Sequence, residues 1–366
     1  MIVSNIQDYI LQLKTIKNRQ MKVVNYKYIK RKVKIVHKNL FKAIVLLIVF
    51  IGLTLVGCDS EVDTDFDGDI DPCENEHFFG LNTYDPWGGL SPLNKNADLG
   101  VSEEIFPSVE SSIMYSNAST YNYDLESYHF FNSPNYVFVN VTNDSPAEMV
   151  PLLGYDSTSK YSHLVYVSAA ISNYIIEIDA DGFVKLVKVD VDSGNIETEI
   201  LTGFNIGATG AQSISMTTNN VDEVYIMINR TLITINIVTG VSDFVEIEAL
   251  FSTTNLFYGL EYNSSGDHLF AIRLEQTADV INLVKVNLDG SFSTSFSLTD
   301  DVHHKESIMS HFYSTTLSCD ESLYRLTYIQ GNNNTIYQEI NSITGEILTD
   351  TKEADYYFGI ESNANN

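Results

Sequence analysis

One form of segment recurs along this 366-residue chain and limits what it can fold into. A β-branched, apolar run ends in a turn of Asp, Asn, Ser or Thr with Gly, and a more polar run follows. The instances are LVKVDVDSGNIETEI at 186–200, LITINIVTGVSDFVEI at 232–247, LVKVNLDGSFSTSFSL at 283–298 and IYQEINSITGEIL at 336–348, with a looser YVFVNVTND at 136–144. Runs of Val, Ile, Thr and aromatic residues bounded by such turns are the pattern of paired strands. Their turn glycines, Gly194, Gly240, Gly290 and Gly345, lie 46, 50 and 55 residues apart. From residue 77 onward no long stretch carries the 3.6-residue period of an amphipathic helix.

A repeat of this size is that of a four-stranded sheet, the unit of a β-propeller blade. Five blades are expected near 111–152, 153–201, 210–248, 256–298 and 309–350. A second element recurs in phase: FYGLEYN at 257–263 is echoed by YFGIESN at 357–363 and more loosely by FFGLN at 78–82. The first copy is followed by a turn and the strand LFAIRL, which marks it as the inner strand of a blade. The C-terminal copy then starts a blade that the chain does not finish, and N-terminal strands can complete it while removing open sheet edges. The expected fold is therefore all-β, a β-propeller of five to six four-stranded blades over residues 77–366. In strand pattern it resembles the quinoprotein-like and YVTN-type propellers, without a repeated Trp-Asp signature. A pair of β-sandwiches is the alternative.

The net charge of −27 conceals a division. Residues 1–57 hold 11 Lys and Arg against the single acid Asp8. Removing these from the totals of 21 and 48 leaves 10 cations against 47 acids, a net −37, in residues 58–366. Such a body lacks the clustered cations that neutralise phosphates, so nucleic acid is excluded as a partner. The basic segment ends at Lys42 and is followed by fifteen uncharged, mostly apolar residues, Ala43 to Gly57. A charged stretch before an apolar one is the plan of a secretory signal, and the run is short for a spanning helix, which wants about 20 apolar residues. An uncleaved membrane helix is the other reading. Met21-Lys22 offers a second start.

The run closes on Leu55-Val56-Gly57-Cys58, which resembles the lipobox of bacterial lipoproteins in all four positions. The resemblance implies that residues 1–57 are a signal peptide and that Cys58 is diacylated and begins the mature protein, the acyl chains anchoring it to a membrane. The following Asp59-Ser60-Glu61-Val62-Asp63 resembles an inner-membrane retention signal in lipoproteins of enterobacterial type, and a surface-export signal in Bacteroidetes-like ones. Few Arg and many Asn, Ile and Tyr fit an AT-rich genome, which favours the outer membrane or cell surface.

Residues 58–76 form an acidic tether with one geometric motif. From Asp63 the chain reads DTDFDGDIDPCEN, with Asp63, Asp65 and Asp67 at alternate positions, Gly68 at the sixth, Asp71 at the ninth and Glu74 at the twelfth. Alternate carboxylates can wrap a Ca²⁺ ion, Gly permits the sharp turn, Asp69 offers its carbonyl, and Glu74 can close the shell. Pro72 disfavours the helices of an EF-hand. The segment resembles a single thrombospondin type 3 calcium repeat, in which a Cys, here Cys73, follows the ladder. A plain solvated acidic tether is the alternative. With Cys58 lipidated, Cys73 and Cys319 are an even pair that can bridge outside the cytoplasm or stay as thiols.

Catalytic signatures are sparse: there is no G-x-S-x-G, H-E-x-x-H, P-loop or C-x-x-C. His303, His304 and His311 cluster near Asp300 and Asp301, as metal ligands or in a solvated loop. Propellers of the lactonase type hold a divalent ion with Glu, Asn and Asp, for which the inner-strand candidates are Glu261, Asn263 and Glu361. The rings of Tyr115, Tyr121, Tyr123, Tyr128, His129, Phe130, Phe131, Tyr136 and Phe138, with Trp87, would either present a carbohydrate- or protein-binding face or fill space between blades. The expected function is a lipid-anchored extracytoplasmic binding module, its partner a protein or a carbohydrate. The alternative is a metal-dependent propeller hydrolase or lactonase.

Overall fold

A computed structural model describes residues 73, 76, 78–82, 89–93, 103–104 and 118–362, apart from 133–134, 141–147, 208–209, 248–254, 276–279, 300–312, 331–333 and 354–356. The chain divides into the units Met1–Asp69 and Ile70–Asn366, and every described residue belongs to the second. The lipobox Cys58 and the calcium-loop residues Asp63, Asp65, Asp67, Asp69, Asp71 and Glu74 lie outside the described residues.

The described strands form six antiparallel four-stranded sheets. Five are built from four consecutive strands each, with inner strands Ser119–Asn122, Lys160–Val167, Ile214–Thr218, Asn255–Asn263 and Tyr313–Leu317. The sixth joins the two ends of the unit: Tyr357–Ser362 is its inner strand, and Phe78–Asn82, Gly89–Leu93 and Glu103–Glu104 complete it. The inner strands touch one another in sequence and the sixth returns to the first, so the sheets are blades of a closed β-propeller. The looser echo Phe78–Asn82 is thus a second strand, paired antiparallel with the C-terminal copy from Phe78↔Ser362 to Asn82↔Tyr357.

The core lies between blades. In the third blade, Val224, Ile226 and Ile228 of strand Glu223–Ile228 pack toward the second blade, while Tyr225 and Met227 pack toward the fourth. Alternate side chains leave opposite faces of a strand, and here both faces are covered, which is why the run EVYIMI is almost continuously apolar. Each fully buried side chain of this kind contributes roughly 1.5–3 kcal/mol by leaving water. Outer strands such as Ser242–Glu246 keep mostly exposed or partly exposed side chains and read as polar.

The periodic glycines sit at one place in the blade, the turn between the third and fourth strands. Asn236 and Asn341 each accept, through Oδ1, two backbone N–H groups of their own turn, at 2.9–3.2 Å for Val238 and Thr239 and 2.8–2.9 Å for Ile343 and Thr344. Asp190 does the same in the second blade. Gly240 and Gly345 then take φ of 71° and 72°, a conformation open to glycine without Cβ strain. At 190–194, 236–240 and 341–345 the turn spells [DN]-x-x-[ST]-G and is capped by its first side chain.

Candidate functional site

The sequence candidates fall in different places. Cys73 and Cys319 are joined by a disulfide with Cα atoms 5.5 Å apart, linking the start of the described chain to the first turn of the fifth blade. Beside it Glu76 accepts the Cys319 N–H at 2.8 Å and faces the Arg325 guanidinium at 3.5 Å. His303, His304, His311, Asp300, Asp301, Tyr115 and Trp87 lie outside the described residues. The aromatic stretch fills space between sheets: Tyr121, Tyr128, Phe130, Phe131 and Tyr136 are buried, and the last two belong to the core shared by the first and second blades. His129 is fully buried there, its ring bonded to Ser127 Oγ at 2.5 Å and to Tyr136 Oη, and burial lowers its pKa to about 3. Those aromatic side chains are therefore structural.

Of the proposed inner-strand trio, the side chain of Glu361 lies outside the description, and Glu261 and Asn263 do different work. The inner strand of the fourth blade is bulged between Tyr258 and Glu261, where Gly259 has φ 58°. The bulge lays Gly259 against the fifth blade: Tyr324 Oη donates to its carbonyl at 2.6 Å, and its N–H donates to Tyr313 Oη at 3.2 Å. Glu261 then faces the fifth blade, where Thr315 Oγ1 donates to its carboxyl at 2.6 Å. Removal from water pushes that carboxyl up to about 8, against the lowering effect of the Thr315 hydroxyl, so it keeps its proton at neutral pH. Asn263 instead caps a turn, its Oδ1 accepting Gly266 N–H at 2.8 Å and Ser265 Oγ at 3.1 Å. Among the described residues no three His, Cys, Asp or Glu side chains gather as a metal site.

That same turn forms one wall of a cleft of about 410 Å³ between the fourth and fifth blades. The opposite wall is the first turn of the fifth blade, Asp320 to Ser322, with Ser342 and Ile343 of its capped turn. Glu321 ties the walls together, its two carboxylate oxygens accepting the N–H groups of Ser264 at 2.5 Å and Ser265 at 3.0 Å. Burial would raise the Glu321 pKa, but these bonds outweigh it and hold the carboxyl below its ordinary value. Asp320 is held down similarly: burial opposes, while Ser318 Oγ at 2.6 Å and the Ser322 N–H and hydroxyl stabilise its charge.

The floor comes from the fourth blade. His268 is 4% exposed, set edge-on to Phe270 with ring centroids 4.9 Å apart. Burial lowers its pKa, so the ring is neutral. The Gly266 backbone lies against this ring and hydrogen-bonds to it, which favours a proton there, and both ring nitrogens are shut off from solvent. Lys285, beside Phe270 in the adjoining strand, brings an ammonium to the same floor and joins none of the ion pairs among the described residues. The cleft thus combines donors, acceptors and two phenylalanine rings, Phe270 and the half-buried Phe296. Sequence reading passed over it, although the turns SSGDH and DES carry much of its polar wall.

A closed ring of four-stranded antiparallel blades defines the chain as a β-propeller protein. It is similar in structure to a protein described as TolB from Agrobacterium tumefaciens, at 10% identity over 79% of this chain and 92% of that one, with a TM-score of 0.48. It is likewise similar to the periplasmic gluconolactonase of Pseudomonas aeruginosa, at 8% identity over 78% and 99%, TM-score 0.46. A third similarity is to hydrazine synthase of Kuenenia stuttgartiensis, at 12% identity over 67% and 68%, TM-score 0.44. No protein-family model and no curated protein sequence matches the chain.

Proposed function

We propose that this β-propeller is an extracytoplasmic binding module, lipid-anchored in a bacterial envelope through Cys58 and held off the membrane by an acidic, calcium-binding tether. The observation that supports it best is the Cys73–Cys319 bond, since disulfides form and persist in oxidising compartments and are rare in the cytosol. The lipobox and its charged leader agree with export. Glu74, the closing ligand of the Asp ladder, is the next residue after Cys73, so a bound Ca²⁺ would stiffen the tether where it is stapled to the fifth blade. The cleft between the fourth and fifth blades is the surface on which such a module would act.

A metal-dependent hydrolase is the second reading, and what favours it is the Glu261 carboxyl, raised by removal from water as acid–base groups of active sites are. The deciding experiment expresses the chain and its Cys58→Ala variant in a bacterium with a fatty-acid probe. Labelled, membrane-bound parent and unlabelled, released variant are expected, with the disulfide intact by mass spectrometry. Equal labelling of both, or free thiols at Cys73 and Cys319 in the exported protein, refutes the proposal. Lactone or ester hydrolysis abolished by Glu261→Gln would establish the hydrolase instead.

A further inference from the structure

We propose that the end of the propeller on which the cleft opens docks a cationic amphipathic segment of a partner protein, Lys and Arg flanking apolar side chains, over the first turns of the first three blades. This rests on the binding-module reading above and names its partner by chemistry. In an antiparallel blade the turn after the first strand and the capped turn after the third leave the same end, which is why both kinds line the cleft. The described first turns are 123–126, 168–171, 219–222, 264–267 and 318–322. They carry Asp124, Glu126, Asp222, Asp267, Asp320 and Glu321, and no Lys, Arg or His. Lys160 and Arg230 stand at the opposite end of their blades. Among the carboxylates Leu125, Ile171 and Val221 are exposed, the last two at 60% and 61%. Apolar surface set among carboxylates repels acidic or phosphate-bearing surfaces and fits cations that flank apolar groups. The three turns are tied together before binding: Tyr166 Oη donates to Asp124, and the Ala169 N–H donates to the Asn220 carbonyl at 3.2 Å.

Ile171 is the sharpest sign of a partner. One residue in each of these five turns is left-handed, namely Glu126, Ile171, Asn220, Asp267 and Glu321, with φ of 48–58°. Ile171 alone among them is β-branched, the side-chain class for which that conformation is a true outlier. It is also exposed, so burial within the chain does not account for the choice. Backbone strain and wetted apolar surface both count against Ile171 in the isolated protein, and strain of this kind is kept where a ligand is gripped. A partner that covers Ile171 supplies the missing contact.

The test is surface plasmon resonance on the full chain, immobilised in neutral detergent beside a detergent-only reference. The probes are a synthetic Leu-Lys peptide in amphipathic helical order, the same peptide with Glu for Lys, and the same peptide with Ser for Leu. The Leu-Lys peptide should bind, the Ser-Lys peptide more weakly and the Leu-Glu peptide not at all. Ile171→Asn should weaken Leu-Lys binding about fivefold or more. Its melting temperature should equal or exceed the parent's, because Asn accepts both the left-handed turn and water. Leu201→Ser, at a residue 68% exposed on the outer strand Ile196–Asn205, should leave binding unchanged. The proposal is overturned if the Leu-Lys peptide fails to bind, if either other peptide binds as well as it does, or if Ile171→Asn binds as the parent does or melts lower. It is also overturned if Leu201→Ser weakens binding as much as Ile171→Asn, an outcome that leaves the binding-module reading standing with its surface elsewhere. Free cysteines at 73 and 319 in protein recovered from cells would count against that reading and not against this face.

Discussion

The guanidinium of Arg325 in the fifth blade lies 3.7 Å from the ring centroid of Phe78, the first residue of the strand that completes the sixth. The same side chain, 3% exposed, reaches Glu76 at 3.5 Å on one side and Glu339 at 3.1 Å on the other. Tyr337 Oη and Thr349 Oγ1 also donate to Glu339, so both carboxylates are supported. The N-terminal segment is thus held to the fifth blade by charge, ring stacking and the Cys73–Cys319 bond within a few residues. Removing one member of a buried ion pair strands the others, at a cost of about 3–5 kcal/mol. Arg325→Met should lower unfolding stability in urea by that amount. A midpoint unchanged from the parent would show that the latch does not hold the ring closed.

The backbone at Gly259 makes a sharper demand. A Cβ built there would sit 2.5 Å from Tyr324 Oη and 2.7 Å from Thr315 Cγ2, in a left-handed conformation. Gly240 has φ 71° with no atom within 4 Å of its Cβ position. Gly259→Ala should therefore cost well beyond the roughly 1–3 kcal/mol of backbone strain, and Gly240→Ala about that strain alone. Thermal melts of both variants compare them directly, and equal losses would contradict the close approach of the fourth and fifth blades.

Two groups withdrawn from water set opposite pH limits. Glu261 keeps a proton up to about pH 8, whereas the unfolded chain releases it near 4.5. Its contribution to stability is present below about 4.5 and is lost as pH rises toward 8. His129, lowered to about 3 by burial, behaves inversely: its contribution is present above 6.5 and fades as pH falls toward 3. Glu261→Gln should flatten the alkaline decline of melting temperature and leave the acid limb unchanged. A parent whose stability rises steadily from pH 5 to about 8 relative to this variant would show that the carboxyl is ionised.

For the tether, calorimetric titration of the full chain with Ca²⁺ should reveal one site that Asp67→Ala removes, because alternate carboxylates must wrap the ion together. Identical heats from parent and variant would reduce the Asp ladder to a solvated spacer.

Much of the fold was legible because its signals are local. A turn needs Asn or Asp to cap it and Gly to take a positive φ, so Asn236-Gly240 and Asn341-Gly345 announce the blade period wherever the sheets end up. The inner-strand echo at 357–362 was readable for the same reason. Its partner Phe78–Asn82 looked alike yet lies one strand out, since pairing across the two ends of the unit depends on ring closure and leaves no mark in the strand's own residues.

By itself the sequence determined the all-β class, the blade period, the charge division and the alternate spacing of the acidic ladder, all properties of neighbouring residues. Tertiary structure alone decided that Tyr121, Tyr128, Phe130, Phe131 and Tyr136 are core, that Glu261 is dehydrated against Thr315, and that the cleft exists. His268 and Lys285 lie on paired strands of the fourth blade, and Glu321 and Ser342 on neighbouring turns of the fifth. Only the packing of one blade's face on the next, driven by apolar side chains leaving water, brings them to a common space.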